Sequence, residues 1–294
     1  MVFLFVRAPS QSYEIPLLLA ALNSLFLCLI PLGLAYLAAQ SHKSTGALGF
    51  LLMGCGLVFF GVSGLYAGWV MPLAQGPNPT VTLHNIGALL AGICEVLAAQ
   101  LFLKDVTGMR QPGHRLLDAR WLYSGIVMLV SIIAIMSFRG VVPIFFDATS
   151  GPSLLRQLVL GSAALLFFLA GGIFAQIHSL ARTAFAFWYS LALRLISIGF
   201  AGVLVQPGVG SAIGWAGRSA QYVGCLFFIV AFLQGRWERK GLDKGLEATW
   251  SFWPFLEQRI EERTTELMKA NDELAKEVAA RKAAETDLRA VFDA

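Results

Sequence analysis

Residues 47–72 read ALGFLLMGCGLVFFGVSGLYAGWVMP, 26 positions without a charge. About 20 apolar residues cross the hydrocarbon of a bilayer, so this stretch is a transmembrane helix. The same measure places six more spans near 14–39, 80–103, 119–138, 153–177, 184–206 and 212–234. Turn-forming residues separate them, notably Gln75-Gly76-Pro77-Asn78-Pro79, Gln111-Pro112-Gly113 and Gln206-Pro207-Gly208. The fourth connection, Gly140 to Pro152, is longer, and its apolar run Val141 to Phe146 reads as a segment lying along the membrane interface.

Composition agrees. The chain is 57% hydrophobic and 14% charged, against about 25% charged in soluble domains. The net charge of +4 is distributed by membrane side, which argues against a nucleic-acid partner. Cys28, Cys55, Cys94 and Cys225 all fall inside apolar spans and lack CxxC spacing, so neither disulfides nor a zinc site is expected. No cleavable signal peptide is expected either, because Glu14 leads into an apolar run too long for one.

Orientation follows from the basic residues. One set of span ends holds Lys43, Lys104, Arg110, Arg115, Arg120, Arg182, Arg236, Arg239, Lys240 and Lys244; the opposite set holds Arg7, Arg139 and Arg156. Basic loops stay cytoplasmic, which puts the N-terminus outside and the C-terminus inside. The expectation is an all-α integral membrane protein of the bacterial inner membrane, with a lipid bilayer as its first partner.

Function is expected where polarity inside the membrane is costly. A charge at the centre of a span costs at least about 2.5–3.5 kcal/mol, so it usually faces inward and finds a partner. The third span carries His84, Ala88, Ala91, Glu95 and Ala98 at helical spacing, with Asn85 beside His84. The sixth carries Ser190, Arg194, Ser197 and Ala201 on one face; the seventh carries Gly214, Arg218, Gln221 and Cys225, with Tyr222 adjacent. Two layers result. Glu95 and Arg194 share mid-depth, as a structural ion pair or as a cavity and proton-sensitive switch. His84, Asn85, Arg218 and Gln221 share the outer half, with Glu14 or Arg156 as further members. There His84 is either a hydrogen-bonded helix-end residue or a ligand contact. Such an outer layer suits a small anionic amphiphile or a quinone-like headgroup. No cofactor or metal is expected: His84 and His178 belong to opposite faces, and His42 and His114 fall in cytoplasmic loops, so no pair can clamp a haem iron.

Small residues also recur, Gly54, Gly61, Gly64 and Gly68 in the second span and Gly161, Ala164, Gly171, Gly172 and Ala175 in the fifth. They indicate close packing within the bundle, with homodimerisation through the second span as the alternative.

After the last span the pattern changes. Trp253, Ile260, Leu267, Leu274 and Leu288 recur in heptad register, with Arg281 interrupting. The companion core positions are Thr264, Asn271, Val278 and Glu285, mostly polar. Polar core residues weaken a coiled coil and specify its register, Asn favouring a parallel dimer. The alternative is a solvated amphipathic helix without a partner.

The run Glu257 to Leu267, then Ala270-Asn271-Asp272-Glu273-Leu274, Ala284-Glu285 and Leu288-Arg289, resembles the signalling helix of bacterial sensor proteins. Leu288 to Ala294 is similar to the opening of a PAS domain. Span number and the lead-in Thr80-Val81-Thr82-Leu83-His84-Asn85 resemble the seven-transmembrane, MASE-like sensor regions of histidine kinases and diguanylate cyclases. The resemblance implies a sensor domain over 1–235, a linker over 236–250, a signalling coil over 251–290 and a truncated output domain from 291–294. It implies a homodimer through the coil and, by family frequency, a histidine-kinase output, with no catalytic residue in this chain. A transporter or intramembrane enzyme with a dimerising tail is the alternative. A retinal receptor is excluded, since 212–234 holds no lysine for a Schiff base.

Overall fold

The computed structural model describes residues 16–69, 78–108, 118–147, 151–206 and 211–242, with 262–266, 268, 269 and 271 beyond them. Seven helices are long and apolar enough to cross a membrane: Leu18–Thr45, Leu48–Trp69, Asn78–Val106, Ala119–Phe138, Leu154–Ala181, Ala184–Leu204 and Ala212–Gly235. The expected spans are therefore found, each within a few residues of its place. The main shift is at the end of the first, which continues from 39 to Thr45 because its polar tail stays helical.

In lipid every backbone group must be satisfied internally, so the turns between spans matter as much as the spans. Two turns are built alike. Gly46, in the left-handed conformation at φ 73°, donates its N–H to His42 O at 2.7 Å, and His42 Nδ1 meets Ala47 O at 2.9 Å. Arg182, at φ 54°, donates to His178 O at 2.7 Å, and His178 Nδ1 meets Thr183 O at 2.9 Å. A carbonyl can only accept, so Nδ1 carries the proton in both. His42 is thus a buried helix-end residue and not a loop residue as expected from sequence. Both turns lie at the end of the bundle from which the seventh helix continues, here the proximal end.

At the distal end the apolar connection after Gly140 includes a small antiparallel pair, β1 (Phe146–Asp147) with β2 (Gly151–Pro152). Asn78 anchors it: its Oδ1 accepts from Phe145 N at 2.8 Å and Phe146 N at 3.0 Å. Phe145 is buried there, while Val141 and Ile144 stay exposed.

The second span lies in the middle of the bundle. Gly61 and Gly64 admit the first span, whose Cys28 and Leu27 carbonyls would sit 3.3 and 3.4 Å from a Cβ at those positions. The first span there is π-helical over Asn23–Leu29, just before Pro31. Proline clashes with the carbonyl four residues earlier, and the widened turn relieves it. Gly56 faces the third span and Gly54 the Tyr123 hydroxyl of the fourth. Gly54, Gly56, Gly61 and Gly64 thus face neighbouring helices of the bundle.

The third, fifth, sixth and seventh spans pack in sequence along their lengths, whereas the fourth touches mainly the second and third. The fourth span shows Trp121, Met128 and Ile135 outward, as a lipid-facing helix does. The seventh helix is continuous from Ala212 to Leu242, seven residues past the span that ends at Gly235 (242 − 235 = 7).

Candidate functional site

Glu95 is 1% exposed, on the stripe of the third span that the sequence indicates. Its partner is not the expected one. Tyr189 Oη donates to the carboxyl group, 3.1 Å from Oε1 and 3.0 Å from Oε2. Tyr189 is fully buried, with Phe174, Phe185 and Phe228 at ring-centroid distances of 4.7, 5.3 and 4.6 Å. Gly56 leaves the room for the carboxyl group, since a Cβ there would lie 2.9 Å from Oε1.

No ion pair joins Glu95 to Arg194 among the described residues. The polar face of the sixth span points elsewhere, to the fifth. Ser190 Oγ donates to Gly171 O at 2.8 Å and Ser197 Oγ to Ala164 O at 2.7 Å. Arg194 lies between them, its Cγ filling the space that Gly171 leaves. The inward stripe is Tyr189, Leu193, Ile196 and Phe200, every member fully buried. It sits one residue, about 100° of helix, away from the polar stripe.

In the distal half the His84 ring lies 6.0 Å from Phe200. Arg156 is 2% exposed and donates from Nη2 to Val203 O at 3.0 Å. Gln221 lies flat where Gly199 has no side chain, and Asn85 is buried on the third span. Arg218 stands over the Trp215 ring at 5.8 Å. Tyr222 turns away from the layer: its Oη donates to Asn23 Oδ1 at 2.8 Å and its ring stacks on Phe26. Tyr222 therefore joins the seventh span to the π-helical turn of the first. Glu14 lies outside the described residues.

A cleft of about 900 Å³ opens between the first and fourth spans, lined by Leu32, Tyr36, Lys43, Val58, Arg120 and Tyr123 among others. Tyr123 Oη bridges it by donating to Ala35 O at 3.2 Å.

Of the expected coil, Thr264 and Asn271 are helical and exposed, and Glu285 lies outside the described residues. Among the described residues no three His, Cys, Asp or Glu side chains gather as a metal site would require. No family model, no curated protein and no solved structure matches the chain.

Proposed function

We propose that this chain is the sensory input part of a bacterial membrane receptor, oriented with its distal end outside and its C-terminus in the cytoplasm. A stimulus acting on the buried polar layers shifts the bundle between two packings, and the C-terminal coil passes the shift as a homodimer to an output domain, preferably a histidine kinase. The observation that supports this reading is the seventh helix. It contributes Arg218 and Gln221 to the distal layer, ties to the first span through Tyr222, and runs unbroken past the bundle to Leu242. A continuous helix carries rotation and translation along its axis, which a flexible tether does not.

The experiment is a phase test on a fusion of residues 1–294 to a kinase module. Seven residues inserted within 243–250 rotate the following helix by about 700°, close to whole turns, and two rotate it by about 200°. The seven-residue insertion should retain the stimulus response and the two-residue insertion should abolish or invert it. Equal responses from both would rule out conduction through the helix. Solute uptake by purified chain in vesicles, unaffected by either insertion, would favour the transporter alternative.

A further inference from the structure

Several buried donors of the distal layer have no acceptor. Arg156 Nε, Asn85 Nδ2 and Gln221 Nε2 are all buried and make no hydrogen bond, and their residues are 2%, 2% and 1% exposed. They come from the fifth, third and seventh spans, and Arg156, Gln221 and His84, the neighbour of Asn85, border one short stretch of the sixth. Gln221 fits against Gly199, His84 against Phe200, and Arg156 is bonded to Val203.

Arg156 also forms no ion pair with a carboxylate among the described residues. Glu95 is eleven residues along the third helix from His84 (95 − 84 = 11), about 16 Å at the helical rise, and is engaged by Tyr189. A buried guanidinium with one carbonyl partner is costly in hydrocarbon, and buried donors left unmade are costly as well. Both costs are removed by one group: an oxyanion, which offers several lone pairs and a negative charge at once.

The surroundings select how the oxyanion arrives. The site begins at Arg156, in the first turn of the fifth span, with the lipid-facing residues Leu154, Leu158 and Val205 near the same end of the bundle. His84 is half-buried and so lies at the edge of the layer. A headgroup at this depth can enter sideways while its chain stays among lipid tails. We infer that the distal layer, built by Arg156, Asn85, Gln221 and His84, is a binding site for the carboxylate or phosphate head of an amphiphile. The inference concerns binding alone and stands apart from the receptor reading.

The test is thermal stability of the full chain in a non-ionic detergent, titrated with dodecanoate, dodecyl phosphate, dodecanol and inorganic phosphate. Either charged amphiphile should raise the midpoint saturably, while dodecanol and inorganic phosphate should not. Arg156→Gln should weaken the effect of dodecanoate about tenfold or more, as expected for a lost charge-assisted bond. Gln221→Leu keeps the site filled and tests it without touching a charge; it should weaken dodecanoate several-fold, with the midpoint of the unliganded variant confirming that it folds. Dodecanol as effective as dodecanoate, inorganic phosphate alone as effective, no response to either charged amphiphile, or unchanged affinity in a folded variant would each overturn the site. Binding without any kinase response in the fusion would instead count against the receptor.

Discussion

Removing the Tyr189 hydroxyl takes away the donor that both Glu95 oxygens share, and a buried acceptor so deprived costs about 1–3 kcal/mol. Tyr189→Phe should therefore lower the thermal midpoint, and Glu95→Gln should change what that substitution costs. A double-mutant cycle between them should show a coupling of about 0.5–3 kcal/mol, whereas Glu95→Gln with Arg194→Gln should be additive. Additivity for Glu95 and Tyr189 would mean that the phenol does not hold the carboxyl group. Glu95 is legible in the sequence because a carboxyl group inside a span is expensive and must face inward. Tyr189 is not, because an aromatic in an apolar span reads as core. Arg194 is misread for a physical reason: equal depth on two helices says nothing about azimuth. Ser190 and Ser197 face the fifth span because Gly171 and Ala164 let their hydroxyls reach its carbonyls. They carry Arg194 round with them.

Glycines set how closely the helices approach. A Cβ at Gly217 would lie 2.7 Å from the Gly199 carbonyl oxygen, a backbone atom that cannot turn aside. Gly217→Ala should push the seventh helix off the sixth, at a cost of about 1–3 kcal/mol for overpacking. At Gly54 a Cβ would meet the Tyr123 hydroxyl, the end of a side chain. Gly54→Ala should cost less than Gly217→Ala, and should displace Tyr123 from the cleft beside the first span. Equal midpoints for Gly217→Ala and wild type would show that the two helices are free to separate. Span positions are readable at this scale because hydropathy alone decides them. The polar tail Gln40 to Thr45 escapes that measure, since its helix is held by the His42 turn. The β1–β2 pair escapes it too, since it depends on a distant amide, Asn78.

For the molecule as a whole, reporter fusions after Gly76 and after Leu233 should read periplasm and cytoplasm respectively; the reverse would invert the proposed orientation and sink the receptor reading. In the kinase fusion, replacing Thr264 and Asn271 with Val should strengthen the coil and relax its demand for one register. Output should lock and the stimulus response should be lost, while ligand binding by the bundle stays nearly intact. A normal response would reduce the coil to a tether. The number of crossings is legible from sequence because lipid admits so few backbone solutions; the partners across the bundle are not, because lipid penalises misplaced polarity without saying which neighbour relieves it. The two histidine turns bear on mechanics. Each leaves just two residues between successive helices, Gly46 and Ala47 in one, Arg182 and Thr183 in the other, and clasps them at both a backbone and a ring nitrogen. Joints this short tie the first span to the second, and the fifth to the sixth, at the proximal end. On the proposed receptor reading, a push on Arg156 at the distal tip of the fifth span travels through the sixth to the helix that continues to Leu242.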